Sequence, residues 1–245
     1  VIGGWRKPLL ALVLFGAAFG YLEAAVVGYL RVLHESARQR FHPEGARGEL
    51  FPLLTLDQVR ASGESKTLTI EVGREAATML MLAAVALAAA NDFGSWAAAF
   101  VIAFGVWDTT FYLFLKLVLG WPASLLTWDI LFLIPVPWVA PVLAPLLVAA
   151  CMIAGGVWRL RGDIRLSPGH AAGILLGGFA IILSFTLDYR NIMAGGLPHE
   201  FHWSVFAFGM AIGVGSCAHA ALVRPRDAGD RPATGSTAAK SEPHG

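Results

Sequence analysis

The sequence predicts an all-α membrane protein: a polytopic bundle of about six transmembrane helices plus one re-entrant or interfacial half-helix. Three observations predict it. Apolar residues make up 56% of the 245 and charged residues only 14%, against roughly 25% charged in a soluble domain. Several apolar stretches approach the roughly 20 residues that cross a bilayer. Those stretches are continuous rather than alternating, which argues against a membrane β-barrel. The formal net charge of +1 gives no electrostatic footprint for nucleic acid. The bilayer, and a lipid, quinone or small external substrate, are the expected partners.

The first span is expected over residues 8–32, after a short basic start at Arg6 and Lys7. Its apolar run is long and lacks a small-x-small cleavage site, so it reads as an uncleaved helix rather than a signal peptide. Gly16, Gly20, Ala24 and Gly28 set a small residue at every fourth position, a stripe that lets a neighbouring helix approach closely. Residues 34–66 are polar and read as an external loop. Within it, 55–62 can form a short interfacial helix with Thr55 as N-cap. Further spans are expected over 67–90, 95–119, 139–160, 171–187 and 201–223.

Residues 121–134 are apolar but only 14 long, too short for an ordinary span. Pro122 suits a helix start, and Pro135, Pro137 and Pro141 break the other end. This stretch therefore reads as the half-helix. Residues 1–223 form a single membrane domain on this reading. Residues 224–245, rich in Pro, Gly, Ser, Thr and charge, form a disordered cytoplasmic tail. Cys151 and Cys217 show no ligand or redox spacing and read as small core residues.

Basic residues in short loops set orientation. With six spans, Arg6 and Lys7, then Arg159, Arg161 and Arg165, then Arg224 and Arg226 share one side. That side is cytoplasmic, giving an inner-membrane protein with both termini inside, although the loop after the first span also carries arginines.

Ionisable side chains lie inside the apolar segments, where each costs several kcal/mol by translocon scales and is normally paired or functional. Glu23 is about 9 residues from the outer end of its span, roughly 14 Å deep at 1.5 Å per residue. Glu75 and Asp108 reach a similar depth on two other spans. Glu71 is one turn above Glu75 on the same face, and His34 is three turns above Glu23. His202, with His199 and Glu200, opens the last span on the same side. The sequence thus places a carboxylate, arginine and histidine cluster in a pocket open to the outer, periplasmic side.

The sharpest local pattern is Glu71-x-x-Arg74-Glu75. Read plainly, Arg74 neutralises a glutamate and fixes helix packing, as in an accessory or assembly subunit. The acids outnumber Arg74, however, so at least one needs a proton, water or a cation. One chemical reading makes Glu23, Arg74, Glu75 and Asp108 the catalytic set of a membrane-embedded enzyme. A second makes Glu23, Glu71, Glu75, Asp108, His34 and His202 ligands of a divalent transition metal, the donor types of carboxylate-bridged sites in bundles. The Glu-x-x-His signature of such sites is absent. A third makes Glu75 or Asp108 the titrating group of a proton-coupled transporter. No Walker, Rossmann, HExxH or GxSxG pattern occurs.

Overall fold

The computed structural model of the chain describes residues 4–44, 50–162, 164 and 166–223. The tail expected to be disordered lies outside the described residues, as do Arg165 and residues 45–49 of the polar loop. The elements in order are α1 (Arg6–Phe41), α2 (Leu56–Ser62), α3 (Ser65–Ala88), α4 (Phe93–Leu119), β1 (Trp128–Phe132), β2 (Trp138–Pro141), α5 (Leu143–Leu160), α6 (Pro168–Thr186), α7 (Tyr189–Met193) and α8 (Trp203–Leu222). Five helical stretches are long and apolar enough to cross a membrane: α1, α4, α5, α6 running on through α7, and α8. The 24-residue α3 has the length of a span but carries Glu71, Arg74 and Glu75. The chain is an all-α membrane helix bundle with one small hairpin.

Caps account for several boundaries. Asp92 accepts from the Ser95 amide at 3.0 Å, and the Ser95 hydroxyl accepts from the Asp92 amide at 3.1 Å, starting α4. The Ser95 hydroxyl and amide hold the Asp92 carboxyl below the usual carboxylate range. Gly120, with φ of +68°, ends α4 in the left-handed region open to glycine. Thr55 and Gln58 box the start of α2. Ser167, followed by Pro168 in the first helical turn, starts α6. The first helix runs past the expected end at residue 32 to Phe41. It is about 54 Å long at 1.5 Å per residue, so its last turns extend beyond a roughly 30 Å hydrocarbon layer.

Close helix pairs are built on small residues. In α1, a Cβ at Gly16 would lie 2.9 Å from Val106 Cγ1, and one at Gly20 would lie 2.9 Å from the Trp107 carbonyl oxygen. The small-residue stripe therefore faces α4. A Cβ at Gly105 would lie 2.7 Å from the Ala149 carbonyl oxygen, joining α4 to α5. One at Gly177 would lie 2.6 Å from the Gly209 carbonyl oxygen, joining α6 to α8. The obstacles named at Gly20, Gly105 and Gly177 are backbone, which yields only if a helix moves. Gly177→Leu is expected to lower stability by about 1–3 kcal/mol, the usual cost of overpacking, read as an earlier thermal midpoint in detergent. An unchanged midpoint would show that α6 and α8 can separate freely. The main core joins Leu12 and Phe19 of α1, Leu82 and Ala86 of α3, and Ile102 and Trp107 of α4.

Residues 121–134 do not form a half-helix. They lead into and form the first strand of an antiparallel hairpin, in which Asp129 pairs with Ala140 and Ile130 with Val139, with an irregularity between Ile130 and Phe132. Trp128, Ile130 and Phe132 alternate along β1, and Pro135 and Pro137 lie in the connection to β2. Proline ends a helix but sits readily in such a connection. A 14-residue apolar run is too short for periodicity alone to separate the two structures. One hairpin surface packs on Phe185, Phe201 and Phe206, the other on Phe51 and Ile192. Non-helical backbone at membrane depth is tolerated where protein or a cavity covers it, and this hairpin has both.

Candidate functional site: a cavity with two polar clusters

A cavity of about 740 Å³ opens between α1, α3, α4, the hairpin, α5 and α6. Its walls are largely apolar and aromatic, with Phe104, Trp107, Phe132 and Trp138 among them. Two polar clusters lie on it.

The first is built on α3. Glu71, Arg74, Glu75 and Thr78 are spaced i, i+3, i+4 and i+7 and so share one helical face. Arg74 forks onto Glu71, with Nε 2.9 Å from Oε2 and Nη2 2.5 Å from Oε1. Its remaining Nη1 ion-pairs with Glu23 of α1. The Thr78 hydroxyl donates to Glu23 Oε1 at 3.0 Å. Glu23 is 4% exposed and Thr78 1%, so this arginine neutralises one carboxylate almost out of reach of water, Glu23, and one half-buried, Glu71. Glu75 points elsewhere: both its oxygens accept from the Leu133 amide, at 3.0 and 2.9 Å. It clamps the turn of the hairpin onto α3.

The second cluster joins α4 to β1. Asp129 accepts from the Tyr112 hydroxyl at 2.7 Å. Asp108 is one turn before Tyr112 on the same face of α4. Arg31, near the end of the apolar part of α1, lies over the Trp121 ring at 4.2 Å. It attracts Asp129 without forming an ion pair. Asp108 is 9% exposed and lines the cavity. Among the described residues it has neither a hydrogen bond nor an ion pair, and its electrostatic neighbour is a second carboxylate, Asp129.

The structure thus brings Glu23, Glu71, Arg74, Glu75 and Asp108 to one cavity. His34 lies at its edge with Nδ1 2.5 Å from Glu64 Oε2, a residue at the start of α3. His202 is exposed ahead of α8 and is not a wall residue. Its neighbour in sequence, His199, instead pairs with Asp188 at 2.6 Å. Among the described residues no three His, Cys, Asp or Glu side chains converge as the ligands of a metal ion would.

Arg31 and the Tyr112–Asp129 pair are the part of the site that the sequence reading did not assemble. A basic residue near a helix end reads as a flanking charge that snorkels to the interface. The signal that could have found Arg31 is its neighbourhood, since Leu30, Val32 and Leu33 leave it inside an apolar run. Compared with known protein families, curated proteins and solved structures, the chain matches none.

Proposed function

We propose that this chain is a multi-pass inner-membrane protein that binds a small amphipathic organic molecule in its intramembrane cavity, with Asp108 meeting the polar end of the ligand. The observation that carries this reading is a large apolar cavity holding a buried carboxylate without a protein partner. A cavity of about 740 Å³ lies within the roughly 300–1,000 Å³ of small-molecule sites, which pair apolar walls with a few placed polar groups. The Tyr112 hydroxyl, Asp129 and Asp108 form a set able to hold or move a proton beside the ligand, which is what an enzyme of the membrane needs. The donor geometry favours an organic ligand over a transition metal, because among the described residues no further ligand set gathers around Asp108. For Glu23, Glu71, Arg74 and Glu75 the packing reading gains, since each already has a protein partner.

Native mass spectrometry of protein extracted in mild detergent tests the reading. An organic adduct is expected on the wild type and absent from Gly178→Phe. Gly178 lines the cavity, and a side chain grown there meets no atom within 4 Å at its Cβ. Absence of any adduct, or one that survives the filled cavity, would count against it.

For orientation we propose that the start of α1 and the end of α8 both face the cytoplasm and that the hairpin faces outward. The Trp5 ring is 5.6 Å from the Arg161 guanidinium, and Arg159 is 3.8 Å from Asp92. The start of α1, the α3–α4 turn and the end of α5 therefore share one end, rich in arginine as a cytoplasmic face is. In intact cells, with Cys151 and Cys217 replaced by Ser, Leu126→Cys is expected to react with an impermeant maleimide and Gly169→Cys to stay unlabelled. The reverse pattern would invert the orientation.

A further inference from the structure

We propose that the occupant of the cavity is an organic cation, a lipophilic molecule whose positive group seats on Asp108 among the surrounding aromatic rings. This rests on the cavity being a ligand site, and it adds the charge and class of the ligand.

The electrostatic balance of the walls is the first argument. Among the described residues, seven carboxylates line the cavity against three arginines and one histidine. Most of the seven are answered within the protein. Glu23 and Glu71 share Arg74, Glu35 faces Arg38, and Glu64 takes His34. Glu75 holds the Leu133 amide, and Asp129 accepts from Tyr112. Asp108 alone is left, more than nine-tenths buried and presented to the cavity. Charges in a low-dielectric wall act far more strongly than in water. An anionic group brought to Asp108 would meet that carboxylate and Asp129 together. A neutral donor would answer the acid only as Tyr112 answers Asp129, with the surplus negative charge of the wall left in place.

The second argument is the material around Asp108. Trp107 precedes it in α4, and Phe104, Phe111 and Tyr112 lie within one turn on either side, all on the cavity. Aromatic faces attract cations, most of all when the cation is desolvated, and cages of such rings are a recurrent way to hold quaternary ammonium groups. A compact metal cation would need converging oxygen or nitrogen ligands, and among the described residues none gather here. A diffuse organic cation needs one counter-charge and apolar contact, which this wall supplies. The one arginine of the second cluster, Arg31, does not compete for Asp108, since its guanidinium lies over Trp121.

The test uses two probes of nearly the same size and shape and opposite charge, tetraphenylphosphonium and tetraphenylborate. Saturable binding to the full chain in non-ionic detergent is measured by equilibrium dialysis against protein-free micelles. The phosphonium is expected to bind at least tenfold more tightly than the borate. Asp108→Asn is expected to lose at least tenfold of the phosphonium affinity, Asp108→Glu to retain most of it, and Gly178→Phe to abolish it. The comparison between the probes needs only wild-type protein, so it stands even if Asp108→Asn fails to fold. Equal binding of both probes, or preference for the borate, with loss in Gly178→Phe, would overturn the cation while leaving the cavity as a ligand site. Wild-type affinity in a folded Asp108→Asn would overturn the seat at Asp108. Binding of neither probe would overturn this inference, and a missing adduct in mass spectrometry would then overturn the ligand site with it.

Discussion

Arg74→Met is expected to destabilise the protein by about 3–5 kcal/mol, the usual effect of removing one partner from a buried ion pair. The reason is geometric. One guanidinium answers Glu71 through two nitrogens and Glu23 through the third, with Glu23 almost without solvent contact. Methionine fills a similar volume but leaves two carboxylates with no cation. Replacing all three charged groups, as Arg74→Met with Glu23→Gln and Glu71→Gln, removes the unanswered charge as well. The triple variant is expected to recover most of the loss, because a buried ion cluster is often no more stable than a neutral one of the same size. Denaturant or thermal unfolding in detergent reads both effects. A triple variant as unstable as the single one would mean that Arg74 does something besides neutralising Glu23 and Glu71. Phosphonium binding in the folded triple variant then separates packing from function. Because the seat is assigned to Asp108, binding is expected to persist when the Arg74 cluster is neutral.

The sequence shows more of this arrangement than its lack of known motifs implies, and what it hides has definite physical causes. The stripe of Gly16, Gly20, Ala24 and Gly28 could be read because close helix approach demands small residues at helical spacing, and the stripe does face α4. The convergence of Glu23, Glu75 and Asp108 could be read from depth, because rise per residue fixes where each lies along its helix. Counting charges shows that four acids around one arginine leave at least one that needs another partner. It could not say which. Glu75 is answered by a backbone amide, and an amide contributes nothing to a count of charged residues. The acid left over is Asp108, one helix away. The hairpin was hidden for a related reason. A short apolar run flanked by prolines fits a broken helix as well as two strands, and what selects the strands is the cover supplied by α3, α6 and α8. That cover is tertiary, assembled from residues 50 or more positions away, such as Glu75 and Phe185.

Glu75→Ala is the second change with a large expected effect, and it separates an anchoring role from a chemical one. The Leu133 amide, with the Ile134 amide beside it, gives its hydrogen to the Glu75 carboxylate. These groups belong to the hairpin turn, which among the described residues pairs with no further strand. Without Glu75 they face a largely apolar cavity, and each buried amide left without a partner costs about 1–3 kcal/mol. The hairpin is therefore expected to open locally. Amides over residues 128–141 should exchange at least tenfold faster in hydrogen–deuterium exchange, while α4, α5 and α8 keep their protection. Glu75→Gln retains one acceptor oxygen and should fall between the two. Because Asp129 is carried on β1 and bonded to Tyr112, loosening the turn also displaces one wall of the cation seat. Phosphonium affinity should fall in Glu75→Ala even though Asp108 is intact, and Glu75→Gln should restore part of it. If the hairpin instead kept wild-type protection in Glu75→Ala, the carboxylate would be no anchor. An acid held at that depth for no structural purpose would then belong with Asp108 as a group that acts on the ligand.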